Sequence, residues 1–416
     1  MRINKFLLRY FPPGVGWEYT KHGRSKIKMN DLINFSDKTN VLQLVEIIAK
    51  HEPLITEKIV QQLIDLLLKL QKKLKESVDH RFHKCLVLKA HLLPLTNVAF
   101  DREGKKCLTG SYDRTCKMWD VETGKGLLNL EGHKNIVYAV SFNNPHSDKI
   151  LTGSFDKTAR LWSSVTGECL HTYWGHTAEV VCAQFSPLNT TIATASMDCT
   201  ARLHNTLTGQ EVSVLKGHMG EVIALQFNND ERQLLTGSFD SSLKLWDART
   251  EKCIGTMLGH SEEISSCQYN FDCSLIASSS MDKTAKVWDP RSMSCIASIS
   301  GHDDEVLEIA FDSAGRRLAT ASSDATAQIW EVKGNLIKLA TMEGHTKEVS
   351  KVCFNPAGSQ LLTASADHTA RLWDSETGKC LQILEGHKDD VFSCAFNYKG
   401  DIIVTASKDN TCHIWK

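Results

Sequence analysis

From about residue 90 to the end, short apolar runs alternate with polar positions and are punctuated by turn residues. Leu234-Leu235-Thr236-Gly237-Ser238-Phe239-Asp240 reads as a β run entering a turn, and Ser242-Leu243-Lys244-Leu245-Trp246 alternates as a half-buried strand should. The first 80 residues have another period. Val41, Leu44, Val45 and Ile48 fall at helical spacing, Pro53 interrupts them, and Val60, Leu63, Leu67, Leu70 and Leu74 form a second stripe. Two amphipathic helices are predicted in a small N-terminal domain over residues 1–80. The second stripe spans only about two heptads, too little for an independent coiled coil, so it is expected to pack on a partner helix or on the strand-rich part.

The strand-rich part repeats every 42 or 43 residues, marked by Gly132-His133, Gly175-His176, Gly217-His218, Gly259-His260, Gly301-His302, Gly344-His345 and Gly386-His387, with Ala90-His91 as an eighth copy. An aspartate follows each histidine by 22 residues, or by 23 in the second repeat, where Asn143 to Asp148 takes one extra. These are Asp113, Asp156, Asp198, Asp240, Asp282, Asp324, Asp367 and Asp409. A serine precedes each by two, from Ser111 and Ser154 to Ser365 and Ser407. A tryptophan follows by six, at Trp119, Trp162, Trp246, Trp288, Trp330, Trp373 and Trp415; the third repeat has His204 there.

This pattern resembles the WD-repeat family over about four fifths of the chain. The resemblance implies blades of four antiparallel strands, each with an Asp, His, Ser/Thr and Trp tetrad. A polar cluster between strands must satisfy its buried donors and acceptors. The expected bonds run from aspartate to imidazole, on to the serine two residues before the aspartate, and from that hydroxyl to the indole. The same residue types build hydrolase triads, but here the set occurs eight times with no Gly-x-Ser-x-Gly elbow, whereas an active site appears once. Neither catalysis, nor a cofactor, nor a metal is expected.

Eight repeats make eight blades if the ring closes. The chain stops one residue after Trp415, leaving the last copy without a fourth strand, and Cys85-Leu86-Val87-Leu88-Lys89-Ala90-His91 resembles Cys380-Leu381-Gln382-Ile383-Leu384-Glu385-Gly386-His387. The expected architecture is mainly β: an eight-bladed WD-repeat β-propeller over 84–416, closed by the strand near 84–90, with a small helical N-terminal domain. Closure removes two open sheet edges.

Composition narrows the function. The 48 basic and 49 acidic residues nearly cancel, so no whole-molecule field favours nucleic acid or an anionic membrane. Arg9, Pro12 and Pro13 break up the opening apolar residues, so no signal-peptide core is expected, nor is membrane insertion. The fourteen cysteines include no C-x-x-C pair. Cys169, Cys253, Cys295 and Cys380 hold one repeat position, and Cys182, Cys267, Cys353 and Cys394 another, which reads as small buried side chains in a reducing, cytosolic compartment.

Leu7-Leu8-Arg9-Tyr10-Phe11-Pro12-Pro13-Gly14, Glu18-Tyr19, Lys21-His22-Gly23 and Ala90-His91-Leu92-Leu93-Pro94-Leu95-Thr96-Asn97-Val98, taken with eight blades, resemble the family of axonemal dynein assembly factors with WD repeats. That resemblance implies a cytoplasmic and ciliary adaptor, present at the basal body and axoneme. It would link preassembled outer-arm dynein to intraflagellar transport complexes and support motility. A monomer is expected.

Two surfaces are candidates for partner proteins. The residues before the first five tetrad aspartates are Tyr112, Phe155, Met197, Phe239 and Met281, an apolar arc suited to dynein cargo; Ser323, Ala366 and Lys408 follow. The basic, aromatic first thirty residues, with Arg9, Lys21 and Arg24, suit the transport partner; packing of either set within its own domain is the plainer alternative. Glu179, Glu221, Glu263, Glu305, Glu348 and Asp390 recur three residues after the marker histidine, as an acidic partial ring or simply as repeat consensus. A competing role is substrate reception for a cullin-type ubiquitin ligase, for which Trp246-Asp247-Ala248-Arg249 and Trp288-Asp289-Pro290-Arg291 match the W-D-x-R form.

Overall fold

Strand alternation and helical stripes separate in space as they do in sequence. The structure, a computed structural model, describes residues 3–10, 12–21, 24–32, 35, 39–52, 55, 57–76, 81–334 and 336–416. Pro53 lies outside the described residues. The chain divides into two compact units, Met1–Arg81 and Phe82–Lys416.

The first unit opens with an antiparallel sheet that the helical reading had not anticipated: β1 (Ile3–Arg9), β2 (Gly14–Lys21) and β3 (Arg24–Asp31), in the order β1-β2-β3. Alternation is the missed signal. Val15 and Trp17 on β2 are wholly buried, whereas Lys26 and Lys28 made the neighbouring stretch read as a charged segment. At Gly16 a Cβ would sit 2.7 Å from the Lys28 carbonyl oxygen, so only glycine allows β2 and β3 to approach there.

Two helices follow. Helix α1 (Val41–His51) is capped by Asn40, whose side-chain oxygen accepts from the Leu42 and Gln43 amides at 3.1 and 3.4 Å. It buries Val41, Val45 and Ile48, while α2 (Glu57–Glu76) buries Leu63, Leu67 and Leu70. The two pack on each other, and α2 also meets β1. The second stripe is thus satisfied by a partner helix.

The second unit contains eight four-stranded antiparallel sheets. Blade one, for example, runs through Leu95–Phe100, Lys106–Ser111, Cys116–Asp120 and Gly126–Leu130. The first strand of each blade touches that of the next, and Val391–Phe396 of blade eight meets Leu95–Phe100 of blade one, closing the circle. Strand β4 (Lys84–Leu88) supplies blade eight's outer strand: it pairs antiparallel with Cys412–Trp415, setting Leu88 opposite Cys412 and Lys84 opposite Trp415.

The apolar core lies between blades. Leu108, Met118 and Leu130 of blade one pack with Val137, Ile150 and Trp162 of blade two, and the pattern recurs around the ring. At the closing seam, Leu88, Ala90 and Leu95 join Val404, Ala406 and Ile414. A blade therefore buries its faces only when both neighbours are present.

Candidate functional site

In each blade the turn before the third strand brings aspartate and histidine together. His218 Nδ1 donates to Asp240 at 2.8 Å, Thr236 Oγ1 lies 2.8 Å from His218 Nε2, and the Trp246 indole donates to the same hydroxyl at 2.8 Å. Burial lowers the His218 pKa against the pull of Asp240, so its imidazole stays neutral. Burial alone would raise the Asp240 carboxyl, but bonds from Ser242, the Met219 amide and His218 bring it down to about 2.

The bridging hydroxyl is not the expected serine. It belongs to Thr109, Thr152, Thr194, Thr236, Ser278, Thr320, Thr363 and Thr405, each four residues before its aspartate. Ser238 instead donates to the Gly220 carbonyl at 2.9 Å and accepts from the Asp240 amide at 3.1 Å, tying the turn. Residues two apart share a strand face, so spacing does not choose between them; depth does, because the threonine lies beside the indole and the serine at the strand end. The unbroken Thr/Ser column at the earlier position was the available signal. These hydroxyls are wholly buried, so they stiffen blades and offer no surface to a substrate.

Two blades depart from the tetrad. In blade six the Trp330 indole N–H has no partner among the described residues, and Gln328 donates to the Gly301 carbonyl at 2.9 Å. The tryptophan expected to complete this tetrad packs in the interblade core instead, with Lys338 Nζ 5.6 Å from its ring centroid. In blade three His204 is buried with neither ring nitrogen bonded among the described residues, and its ring lies 4.7 Å from Tyr173. All four strands nonetheless pair, with bulges at Val180/Cys182 and Leu203/His204 like those of blade four.

Replacing His204 with tryptophan would give Thr194 its indole donor and remove two unsatisfied ring nitrogens. We expect His204→Trp to be neutral or to stabilise by about 1 kcal/mol in urea denaturation. A loss of several kcal/mol would show that the pocket cannot take the larger ring.

The apolar arc converges on the mouth of the central channel. Phe155, Met197, Phe239 and Met281 line one cavity of about 580 Å³, together with residues that include Tyr138, Cys182, Glu308 and Lys351. Tyr138 stacks on Phe155 at 5.5 Å. Tyr112, the fifth member, does not line the cavity and is 41% exposed; Phe239 is 36% exposed. Each acidic ring residue adjoins an arc position, because Met197, Phe239 and Met281 amides donate to the carbonyls of Glu179, Glu221 and Glu263 at 2.9 to 3.0 Å.

The N-terminal basic residues are spread out. Arg9 on β1 pairs with Asp31 and donates through Nε to the Pro12 carbonyl at 2.8 Å. Lys21 and Arg24 face each other at the ends of β2 and β3, and their side chains lie outside the described residues.

The cysteines divide. Cys267 and Cys394 are buried and Cys182 and Cys353 half-buried; burial pushes the Cys182 thiol up to about 11. Cys169, Cys253, Cys295 and Cys380, expected inside, are exposed on outermost strands, and each thiol donates to the carbonyl two residues on. The start of an outermost strand is open on both faces, as the exposed neighbours Leu170, Ile254, Ile296 and Leu381 show, which periodicity alone does not reveal.

Two His/Asp groups have metal-like proximity, and in each part of the donor set is already engaged. His387 bonds Asp409 within blade eight's tetrad beside His413, and Asp390, near His368 and Asp389, is held by Lys408 at 3.3 Å. The aspartates of the two W-D-x-R segments accept backbone amides of the following turn, as Asp374 also does without an arginine after it.

Comparison with known proteins supports the repeat reading. The family profile described as WD domain, G-beta repeat matches eight segments, residues 82–120, 124–163, 167–205, 209–247, 251–289, 293–331, 337–374 and 378–416. Proteins named Dynein assembly factor with WD repeat domains 1 are 57% identical over 192 residues in Homo sapiens and 59% over 190 in Xenopus laevis. Each alignment covers 46% of this chain and 46% of the relative, so the chain spans about half the length of the curated relatives it matches. The crystal structure of the computationally designed Ika8 protein superposes with a TM-score of 0.71 at 27% identity, covering 80% of this chain and 99% of that one.

Proposed function

The chain belongs to the WD-repeat family, and from that premise we propose that it is a non-catalytic adaptor in axonemal dynein assembly. It links preassembled outer-arm dynein to intraflagellar transport, acting in the cytoplasm and at the cilium or flagellum, including the basal body and axoneme. The observation that carries this reading is the 57 to 59% identity to relatives named dynein assembly factor. The geometry is compatible: a ring stiffened by repeated buried hydrogen-bond clusters presents large apolar side chains at its mouth.

In this scheme the arc takes dynein cargo, and the basic N-terminal strands take the transport partner. Lys21 and Arg24 are tested there, because changing Arg9 would also break its ion pair with Asp31.

The full chain is expected to bind purified outer-arm dynein and intraflagellar transport complexes in separate titrations. Phe155→Ser with Phe239→Ser should weaken dynein binding at least about tenfold, on the order of 1.4 kcal/mol. Lys21→Glu with Arg24→Glu should weaken only the transport complex. No binding to dynein by the wild-type chain would end the reading; dynein affinity within about twofold in the phenylalanine variant would end the assignment of the arc.

A further inference from the structure

The channel mouth is graded around the ring, and the grading specifies an occupant. On blades one and two the arc residues Tyr112 and Phe155 are tied by backbone bonds to the Pro94 and Ile136 carbonyls, so no acid accompanies them. On blades three to five the same bond sets Met197 beside Glu179, Phe239 beside Glu221 and Met281 beside Glu263. On blades six and seven the arc position shrinks to Ser323 and Ala366 while Glu305 and Glu348 remain. Blade eight closes the series with Lys408 donating to Asp390 at 3.3 Å.

We infer that the mouth binds an extended peptide segment in which a large apolar side chain is followed by lysines or arginines. The apolar residue enters the cavity of about 580 Å³ between Phe155 and Phe239. The basic residues lie over blades three to seven.

Charge complementarity selects this occupant. Glu263, Glu305 and Glu348 are exposed, and among the described residues no lysine or arginine pairs with them; only the blade-eight acid has a cation of its own. The tetrad aspartates below add negative charge without cancellation, because burial keeps histidines such as His218, His260 and His302 from protonating. An acidic peptide would meet like charge across this arc, and an uncharged one would leave it unmatched. The cavity, in turn, distinguishes this mouth from a merely acidic surface: Phe155, Met197, Phe239 and Met281 in its lining are adaptable to a single bulky anchor, beside polar groups that include Glu308 and Lys351.

The inference deepens the dynein reading by specifying the kind of cargo segment the arc accepts, and it rests on that reading only for the partner's identity. The test pans a random peptide display library of about twelve residues against the immobilised full chain. Enriched peptides should carry Leu, Met or Phe followed within a few positions by two or more Lys or Arg, and their binding should fall with salt. Glu221→Lys with Glu263→Lys should cut the affinity of an enriched synthetic peptide at least about tenfold, as should Phe155→Ser with Phe239→Ser. Both variants must melt like the wild-type chain.

Enrichment of acidic or uncharged peptides, or equal binding of a basic peptide to the charge-reversed variant, would overturn the inference. A wild-type chain that binds dynein but selects no such peptides overturns this inference alone. One that selects them but does not bind dynein overturns the dynein reading alone.

Discussion

Deleting residues 1–92 is expected to abolish soluble, cooperatively melting protein, whereas deleting residues 1–80 should leave a propeller that melts as the second unit does in the full chain. The longer deletion removes β4, so Cys412–Trp415 loses its outer antiparallel neighbour and an open edge appears. It also removes Phe82 and Leu88, both buried in interblade cores, and His91, which bonds Asp113 at 2.8 Å. At about 2 to 5 kcal/mol for each large buried apolar side chain lost, these losses rival the whole stability of a typical domain. The shorter deletion ends before Phe82, whose amide accepts no such loss: it still donates to Gln382 at 3.0 Å. Size-exclusion chromatography and thermal melting distinguish the two outcomes, and equal solubility with equal melting would refute closure by β4.

Acidification to pH 4 should cost stability on the order of a few kcal/mol through two histidines, His204 and His413. Burial, with the charges of His176 and Arg202, lowers His204 to about 4, and burial, with His387, lowers His413 to about 3. An unfolded histidine titrates near 6.5. A depressed folded pKa means that the unfolded state takes up the proton first, so this stability is fully present above about pH 6.5 and is lost as pH falls toward the folded values. The tetrad aspartates enter only at the acid end of that window, below about pH 5. Asp240, at about 2 when folded, begins to lose its contribution as pH falls through about 5 toward the unfolded carboxylate value of about 4.

The control is built into the repeat. Other blades place Arg160, Arg202 or Arg371 where blade eight has His413, and tryptophan where blade three has His204. His204→Trp with His413→Arg should therefore reduce the dependence of the urea midpoint on pH between 7 and 4, leaving the smaller part due to tetrad histidines such as His218, His260 and His302. An unchanged slope in the double variant would place the acid sensitivity elsewhere.

The repeat made much of the architecture legible, because propeller blades are specified locally. Gly-His, aspartate and tryptophan at constant spacing already state a turn, a polar cluster and a strand, and the likeness of Cys85–His91 to Cys380–His387 indicated how the ring closes. The candidate arc was legible for the same reason, since one residue per blade at one turn must fall on one face.

What spacing left open was settled by depth and neighbours. Thr236 and Ser238 are equivalent by alternation, and only the position of the indole assigns the bridging role to Thr236. Cys253 and Cys267 both recur with the repeat, but only Cys267 has a blade covering it. Trp330 matches the motif and yet its indole N–H has no partner among the described residues, while Gln328 occupies the Gly301 carbonyl. In the N-terminal unit, β1 to β3 escaped the sequence because their short alternation is mixed with lysines, and burial of Trp17 depends on elements packed over the sheet. The sequence by itself determined the number of blades, their closure and the face carrying the apolar arc, since these follow from local periodicity. Tertiary structure decided which hydroxyl bridges, which cysteines are hidden and which arc residues share a cavity, since each depends on contacts between residues far apart in the chain.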